Sequence, residues 1–436
     1  MRRTRGRTLR AGVALSALAI ALTACGGSDS STPTADSSGD GSSESSAPAG
    51  GDSTLVVWAD NSANTAKAIE PLCQAWAEEN GVTCTVKKFN GGGELQEALV
   101  RGNETGDVPD IYEGPHDQIG TLVDNGILAP VDTSANADKF AKEAVAAMQY
   151  QGNSYGVPWA VENIAMLTNK ALSPECPATL DDAVSNAKTL ISAGKATEGL
   201  GIAMQIGETG DFYHWYPLFT ADGGYAFARN ADGSYNPDDM GVDSPGGVKA
   251  AETLQKLTDE GIFKPSVSYD IARETFGKGK SPYFITGPWQ IPEQQEALGD
   301  DLMVCPIPSW AGSEYKSTPF LGVRAFFQTA KAKNPTLAST FLNDEVMTTE
   351  FMDAMFAVDP RPPAWLESYE KASADPIVKA FGDYGATGDP MPNLPEMANV
   401  FGDAGLAEYK VAKGDDPTTT MEKAADSINK ANANIG

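Results

Sequence analysis

Thr54-Leu55-Val56-Val57-Trp58 is an apolar run of strand length that leads into the polar loop Ala59-Asp60-Asn61-Ser62-Ala63-Asn64. From Thr65 the period changes: Ile69, Leu72, Cys73 and Trp76 recur at helical spacing, and Asn80-Gly81 closes the helix. Val82, Cys84 and Val86 then alternate with polar residues, the period of a half-buried strand. Strand, loop, helix and strand in this order form the unit of an α/β fold, and the pattern repeats. A helix is expected from Gly93 to Arg101, a strand from Asp110 to Tyr112, a helix end from Gly120 to Asn125 leading into an edge strand from Gly126 to Val131, and a strand from Ile164 to Asn169. Gly and Pro punctuate the joins.

Further along, Pro282-Tyr283-Phe284-Ile285-Thr286 reads as a buried strand that Gly287-Pro288 cannot extend. Trp289 then falls just past the strand end. Open α/β sheets form their ligand crevices at such ends, and an indole offers one flat apolar face and one polar edge.

The 436 residues exceed what one hydrophobic core fills, so two lobes are expected. An apolar fraction of 41% and an aromatic fraction of 8% are those of a soluble globular protein. The formal net charge is −27, and loss of a leader holding five arginines and no acid would take it to −32. A surface that acidic repels phosphate backbones, which argues against nucleic acid as a partner and favours neutral or cationic ligands.

Arg2, Arg3, Arg5, Arg7 and Arg10 form a basic leader, and Ala11 to Leu22 is an apolar core too short for a spanning helix. Leu22-Thr23-Ala24-Cys25-Gly26-Gly27 resembles a bacterial lipoprotein signal. The resemblance implies removal of residues 1–24 and lipid attachment to Cys25. Residues 25–52 then form a tether of Gly, Ser, Asp, Thr, Pro and Ala, which cannot bury enough surface to fold. No later segment is long and apolar enough to cross a bilayer, so the membrane is reached only through the lipid.

Cys73, Cys84, Cys176 and Cys305 are an even number in an exported chain, which suggests two disulfides among three possible pairings. Proximity favours Cys73 with Cys84, leaving Cys176 with Cys305. No metal is expected: there is no Cys-x-x-Cys pair, and the only histidines are His116 and His214. Neither histidine lies in a nucleophile motif, and one in a Pro-His-Asp loop more often orients backbone than shuttles protons.

An ordered series spans nearly the whole mature chain: Thr54 to Trp58, Pro109-Asp110-Ile111 with His116-Asp117, Pro158 to Glu162, Ala221-Asp222-Gly223-Gly224-Tyr225-Ala226-Phe227, Gly241-Val242-Asp243, Gly287-Pro288-Trp289, Pro319 to Val323, and Met391-Pro392-Asn393-Leu394-Pro395. In order and rough spacing it resembles the maltose-binding proteins, the periplasmic or lipoprotein receptors of ABC sugar importers. The resemblance implies an α/β, two-lobed periplasmic-binding-protein fold of the class II type, with ligand in the inter-lobe cleft and hinge closure. Its first lobe would be residues 53–160 with 323–365, and its second 161–319 with 366–436. Strand crossovers are expected near Ala160 to Ile164, near Phe320 to Val323, and near Trp365. The implied protein is a monomer without cofactor, tethered to the outer face of the cytoplasmic membrane. Its partners are an oligosaccharide, two permease subunits and, through them, a cytoplasmic ATPase.

A sugar has apolar C–H faces and a rim of hydroxyls, so its site needs aromatic platforms and planar polar groups. Carried over residue by residue, the resemblance implies stacking on Trp289 and Tyr213, with Phe401 in place of another stacking tryptophan. It implies hydroxyl contacts from Asp211, Glu162 and Asp117. The departures lie in the first lobe: Ser62-Ala63 stands where malto-oligosaccharide binders have Asp-Lys, Gly114 where they have Trp, and Gln118 where they have Arg. Asn61, Ser62 and Asn64 keep hydrogen-bonding capacity at the first loop, and Gln118 remains a candidate ligand contact. Arg324 and Arg361 either clamp hydroxyls or sit in structural ion pairs, the second weighing more. Trp159 and Trp215 flank these residues and either pack in the core or contact ligand, the first weighing slightly more. The expected function is binding of maltose, malto-oligosaccharides or a related α-glucoside. The alternatives are a different oligosaccharide or charged solute on the same fold, or a hydrolase using the same carboxylates.

Overall fold

The computed structural model describes residues 53–60 and 64–435. Cys25, the leader, the tether, Asn61 and Ser62 lie outside the described residues. The opening unit forms as its periodicity predicts. Strand Thr54–Asp60 feeds helix Thr65–Glu79, which returns to strand Thr83–Phe89 in parallel, Val57 facing Val86. Ile69, Cys73 and Trp76 are buried on the helix's inner face.

A second helix, Gly92–Thr105, carries the chain to strand Ile111–Pro115, parallel to the first. Phe320–Gln328 pairs antiparallel with it and also with Gly156–Asn163, completing most of a six-stranded sheet. A separate three-stranded antiparallel sheet has Ala165–Asn169 in the middle, flanked by Tyr283–Thr286 and Leu302–Cys305. Residues of Ala165–Asn169 and Tyr283–Thr286 are buried on both faces, which is why these strands read as continuous apolar runs.

Two hydrophobic cores result. One gathers apolar residues between Leu55 and Ala160 with others between Val323 and Trp365. The other gathers residues between Ile164 and Phe320 with others between Ile377 and Ile428. The chain passes between cores three times, and the passages lie side by side: Phe320–Gln328 pairs with Gly156–Asn163, and Val161 donates its backbone N–H to Pro362. Each core carries one disulfide, Cys73–Cys84 and Cys176–Cys305, with Cα atoms 5.9 and 5.6 Å apart. The sequence separations are 11 and 129; by unfolded-chain entropy they contribute about 3 and about 5 kcal/mol. Among the described residues no helix is long and apolar enough to cross a membrane.

Two local expectations are corrected. The edge strand expected from Gly126 to Val131 does not form: only Leu128 bridges, to Thr329. Pro130 has no N–H, and around it the backbone changes partner, Ala129 donating to Gln328 and Val131 to Ser154. The strand expected from Asp110 to Tyr112 runs instead over Ile111–Pro115. Its polar Glu113 resembles the start of a loop, but that carboxylate is buried against Arg324 of the next strand.

Candidate functional site

Trp289 sits in the single turn Pro288–Gln290, directly beyond strand Tyr283–Thr286. A Cβ on Gly287 would lie 2.2 Å from the indole ring, so only glycine lets the ring fold back over the strand end. Helix Phe212–Ala221 brings Tyr213 and His214 beside it, their ring centroids 6.4 and 6.0 Å from that of Trp289. Phe401, from helix Met397–Ala412, lies 6.5 Å from Tyr213. Phe320 stacks nearly parallel to Tyr213 at 6.2 Å and was not foreseen in the sequence. Trp289, Tyr213 and Phe401 are only partly buried, so this aromatic wall keeps an open side.

Asp211 is committed elsewhere. It caps helix Phe212–Ala221, one carboxylate oxygen accepting from the His214 backbone N–H and the other from the Gln205 amide. Its own N–H donates to buried Glu408 at 2.5 Å. It anchors the turn that carries Tyr213.

Facing the wall is a set of buried charges from the other core. Arg361 donates through Nε to Glu162 at 2.5 Å and through Nη1 to Asp359 and to Thr65 Oγ1. Its guanidinium carbon is 5.7 Å from the Trp159 ring centroid and 5.8 Å from that of Trp289, a cation between two indoles belonging to different cores. Arg324 makes a bidentate pair with Glu113 at 2.9 and 2.7 Å, and Trp159 Nε1 donates to the same carboxylate at 3.0 Å. Burial works against the Arg324 charge, yet Glu113 and Glu162 more than offset it, so the guanidinium is held above its ordinary pKa. Both arginines thus occupy ion pairs, the reading that weighed more in the sequence. Trp159 and Trp215 are buried core residues.

Two polar groups are left over. The Asp117 Oδ1 and Tyr213 hydroxyl oxygens are buried without hydrogen-bond partners. Burial pushes the Asp117 carboxyl up to about 6, only partly opposed by a backbone hydrogen bond and by Arg324. The Tyr213 hydroxyl is raised by burial and then by the charges of Glu162 and Asp117, so the two unpartnered groups lie within reach of one another's fields. A buried donor or acceptor without a partner costs about 1–3 kcal/mol. A ligand bearing hydroxyls would supply what both lack.

The remodelled corner closes on itself. A Cβ at Gly114 would lie 1.9 Å from the Tyr112 hydroxyl, and that hydroxyl donates to Gln118 Oε1 at 2.8 Å. Two of the three departures from the maltose-binding pattern, Gly114 and Gln118, therefore meet at one buried tyrosine. His116 orients backbone: Nδ1 accepts from Val323 N–H at 3.1 Å, which leaves the proton on Nε2 facing the Met391 carbonyl at 2.9 Å. Burial lowers its pKa to about 4, so the ring stays neutral.

Two lobes crossed by three adjacent segments, with an aromatic wall on one and a face of ion-paired buried side chains on the other, define a solute-binding protein of the periplasmic type. The chain belongs to the bacterial extracellular solute-binding proteins, whose family model matches residues 71–380. It is 27% identical to a galactooligosaccharide-binding protein of Bacillus subtilis, covering 94% of each chain. It is 28% identical to the maltodextrin-binding protein of the same organism, over 97% of this chain and 96% of that one. A solved structure of the Thermus thermophilus maltotriose-binding protein bound with maltotriose superposes with a TM-score of 0.78 at 26% identity, covering 88% of this chain and all of the other. Among the described residues no His, Cys, Asp or Glu cluster is arranged to hold a metal.

Proposed function

We propose that this protein is the lipid-anchored receptor of an ABC importer and that it binds maltose, a malto-oligosaccharide or a related α-glucoside between its lobes. One observation carries the reading: the Trp289 and Tyr213 wall faces Glu162, Arg361 and Asp117 across the lobes, and the Tyr213 hydroxyl and Asp117 Oδ1 are both unpartnered. A pyranose stacks its C–H face on the indole and hands hydroxyls to the two unpartnered oxygens. Contacts made only when the lobes meet favour the closed form, which the permease then selects and which couples to the ATPase.

The relatives' names support a binding protein over a hydrolase, as does the engagement of Glu162 in an ion pair and of Asp211 in a helix cap. The identity of the sugar is a separate matter. Tyr112 and Gln118 close the corner where malto-oligosaccharide binders place Trp and Arg, and one relative is named for galactooligosaccharides, so a different oligosaccharide is the second reading.

A thermal-shift screen over mono-, di- and oligosaccharides tests both, because a ligand that binds only the native state raises its melting temperature by mass action. Stabilisation by maltodextrins above all others supports the first reading, and by β-galactosides the second. A response to amino acids or polyamines but to no sugar would overturn the carbohydrate assignment.

A further inference from the structure

Away from the wall, helices Leu180–Ser192 and Pro245–Asp259 and the loop carrying Trp310 enclose a cleft of about 450 Å3. The loop is pinned in place: Ala311 N–H donates to Asp181 at 2.8 Å, and Leu180 N–H to the Ser309 carbonyl at 3.0 Å. Trp310 is therefore presented on a fixed support.

Two side chains lining this cleft hold orphaned polar atoms. Asp222, whose side chain is only 3% exposed, has Oδ1 3.3 Å from Lys249 Nζ but no partner for Oδ2. The Trp310 Nε1 is likewise buried without an acceptor. One of these atoms only accepts and the other only donates. A hydroxyl does both, so a hydroxyl-bearing ligand answers each with the same kind of group.

The charges argue for a neutral ligand. Lys188, Lys249 and Lys256 line the cleft with Asp181, Asp222 and Glu260, three against three, and Lys188 is already paired with Glu260 at 2.9 Å. The charges cancel in number, so the cleft offers no net attraction to an ion of either sign. Trp310 and Leu257 add apolar lining for a C–H face, and the volume lies within the range of small-molecule sites.

We propose that this cleft is a second saccharide site, which takes one neutral pyranose unit on Trp310 and Asp222 independently of the inter-lobe site. The test uses the mature chain carrying Trp289→Ala, so that the inter-lobe wall is impaired. Methyl α-glucoside, methyl β-galactoside and glycerol are titrated in turn by saturation-transfer-difference NMR. A pyranoside should bind at millimolar concentration and glycerol at least tenfold more weakly. Adding Trp310→Phe, which keeps the ring and removes the N–H, should weaken pyranoside binding severalfold. Adding Thr253→Arg, which fills the cleft from a half-exposed helix position, should abolish it. Circular dichroism and melting curves establish that each variant is folded.

A millimolar pyranoside-binding component that is unchanged by Thr253→Arg in a folded protein would overturn the site. Equal affinity for glycerol would overturn the pyranose assignment, and no binding at tens of millimolar would mean that water alone fills the cleft. Because the readout is the difference that Thr253→Arg makes in the Trp289→Ala background, failure of the inter-lobe reading leaves these outcomes unchanged.

Discussion

The two faces of the inter-lobe site are built on opposite principles. On the C-terminal side, Trp289, Tyr213, Phe401 and Phe320 hold one another by ring packing, and their open side comes from what the wall leaves uncovered. On the N-terminal side, buried Arg324 pairs with Glu113, and buried Arg361 is shared by Glu162 and Asp359. Loss of one partly buried ring from the wall should leave the protein folded. The charge set is less tolerant, most plainly at Arg324 and Glu113, where removing one partner leaves the other buried and uncompensated. On the proposed reading, ligand contact and structural integrity are therefore separable on one side and fused on the other.

The largest expected effect tests that fusion. Arg324→Ala should destabilise the fold by about 3–5 kcal/mol, read from chemical denaturation, because Glu113 is left fully buried without its counter-charge. A loss below about 1 kcal/mol would mean that the pair behaves as a surface contact. Next, Trp289→Ala should weaken sugar binding by about 2 kcal/mol, roughly 30-fold, in calorimetry while moving the melting temperature little. Unchanged affinity would remove Trp289 from the site.

The third concerns pH. Burial raises the Asp117 carboxyl to about 6 from 3.8, so the folded, ligand-free protein binds its proton more tightly than the unfolded chain does between those values. Its contribution to stability is accordingly lost as pH rises through that window. A ligand hydroxyl donating to the carboxylate favours the anion. Sugar affinity should therefore fall by about tenfold as pH is lowered from above 6 to well below it, in line with roughly 1.4 kcal/mol for a charge-assisted hydrogen bond. Asp117→Asn should flatten this profile; a profile unaltered by the substitution would place the titration elsewhere. The smallest effect is that of Tyr213→Phe. It should cost about 1 kcal/mol of binding and leave stability equal or slightly higher, since the hydroxyl removed has no partner in the free protein.

Much of the aromatic wall was legible in the sequence. The apolar run before Gly287-Pro288 identifies a strand that must stop, which puts Trp289 at its end. The polar face was legible only as a set of residue types. Glu113 resembles a loop residue because a charge inside a strand is read as exposed, and nothing local announces that Arg324, 211 residues later, will lie against it. Asp211 was expected to meet ligand, yet it precedes a helix and caps it, a use that the same residue type serves equally well.

By itself the sequence determined the α/β alternation, the two-core size, the chain's acidity and the position of Trp289 just past a strand, since periodicity and chain-breaking residues act within a few residues. Tertiary structure alone decided which charges are spent on each other and which groups, the Asp117 oxygen and Tyr213 hydroxyl, remain unpartnered. Pairing of this kind depends on distances between segments up to 296 residues apart, as between Arg361 and Thr65, and no local pattern encodes those distances.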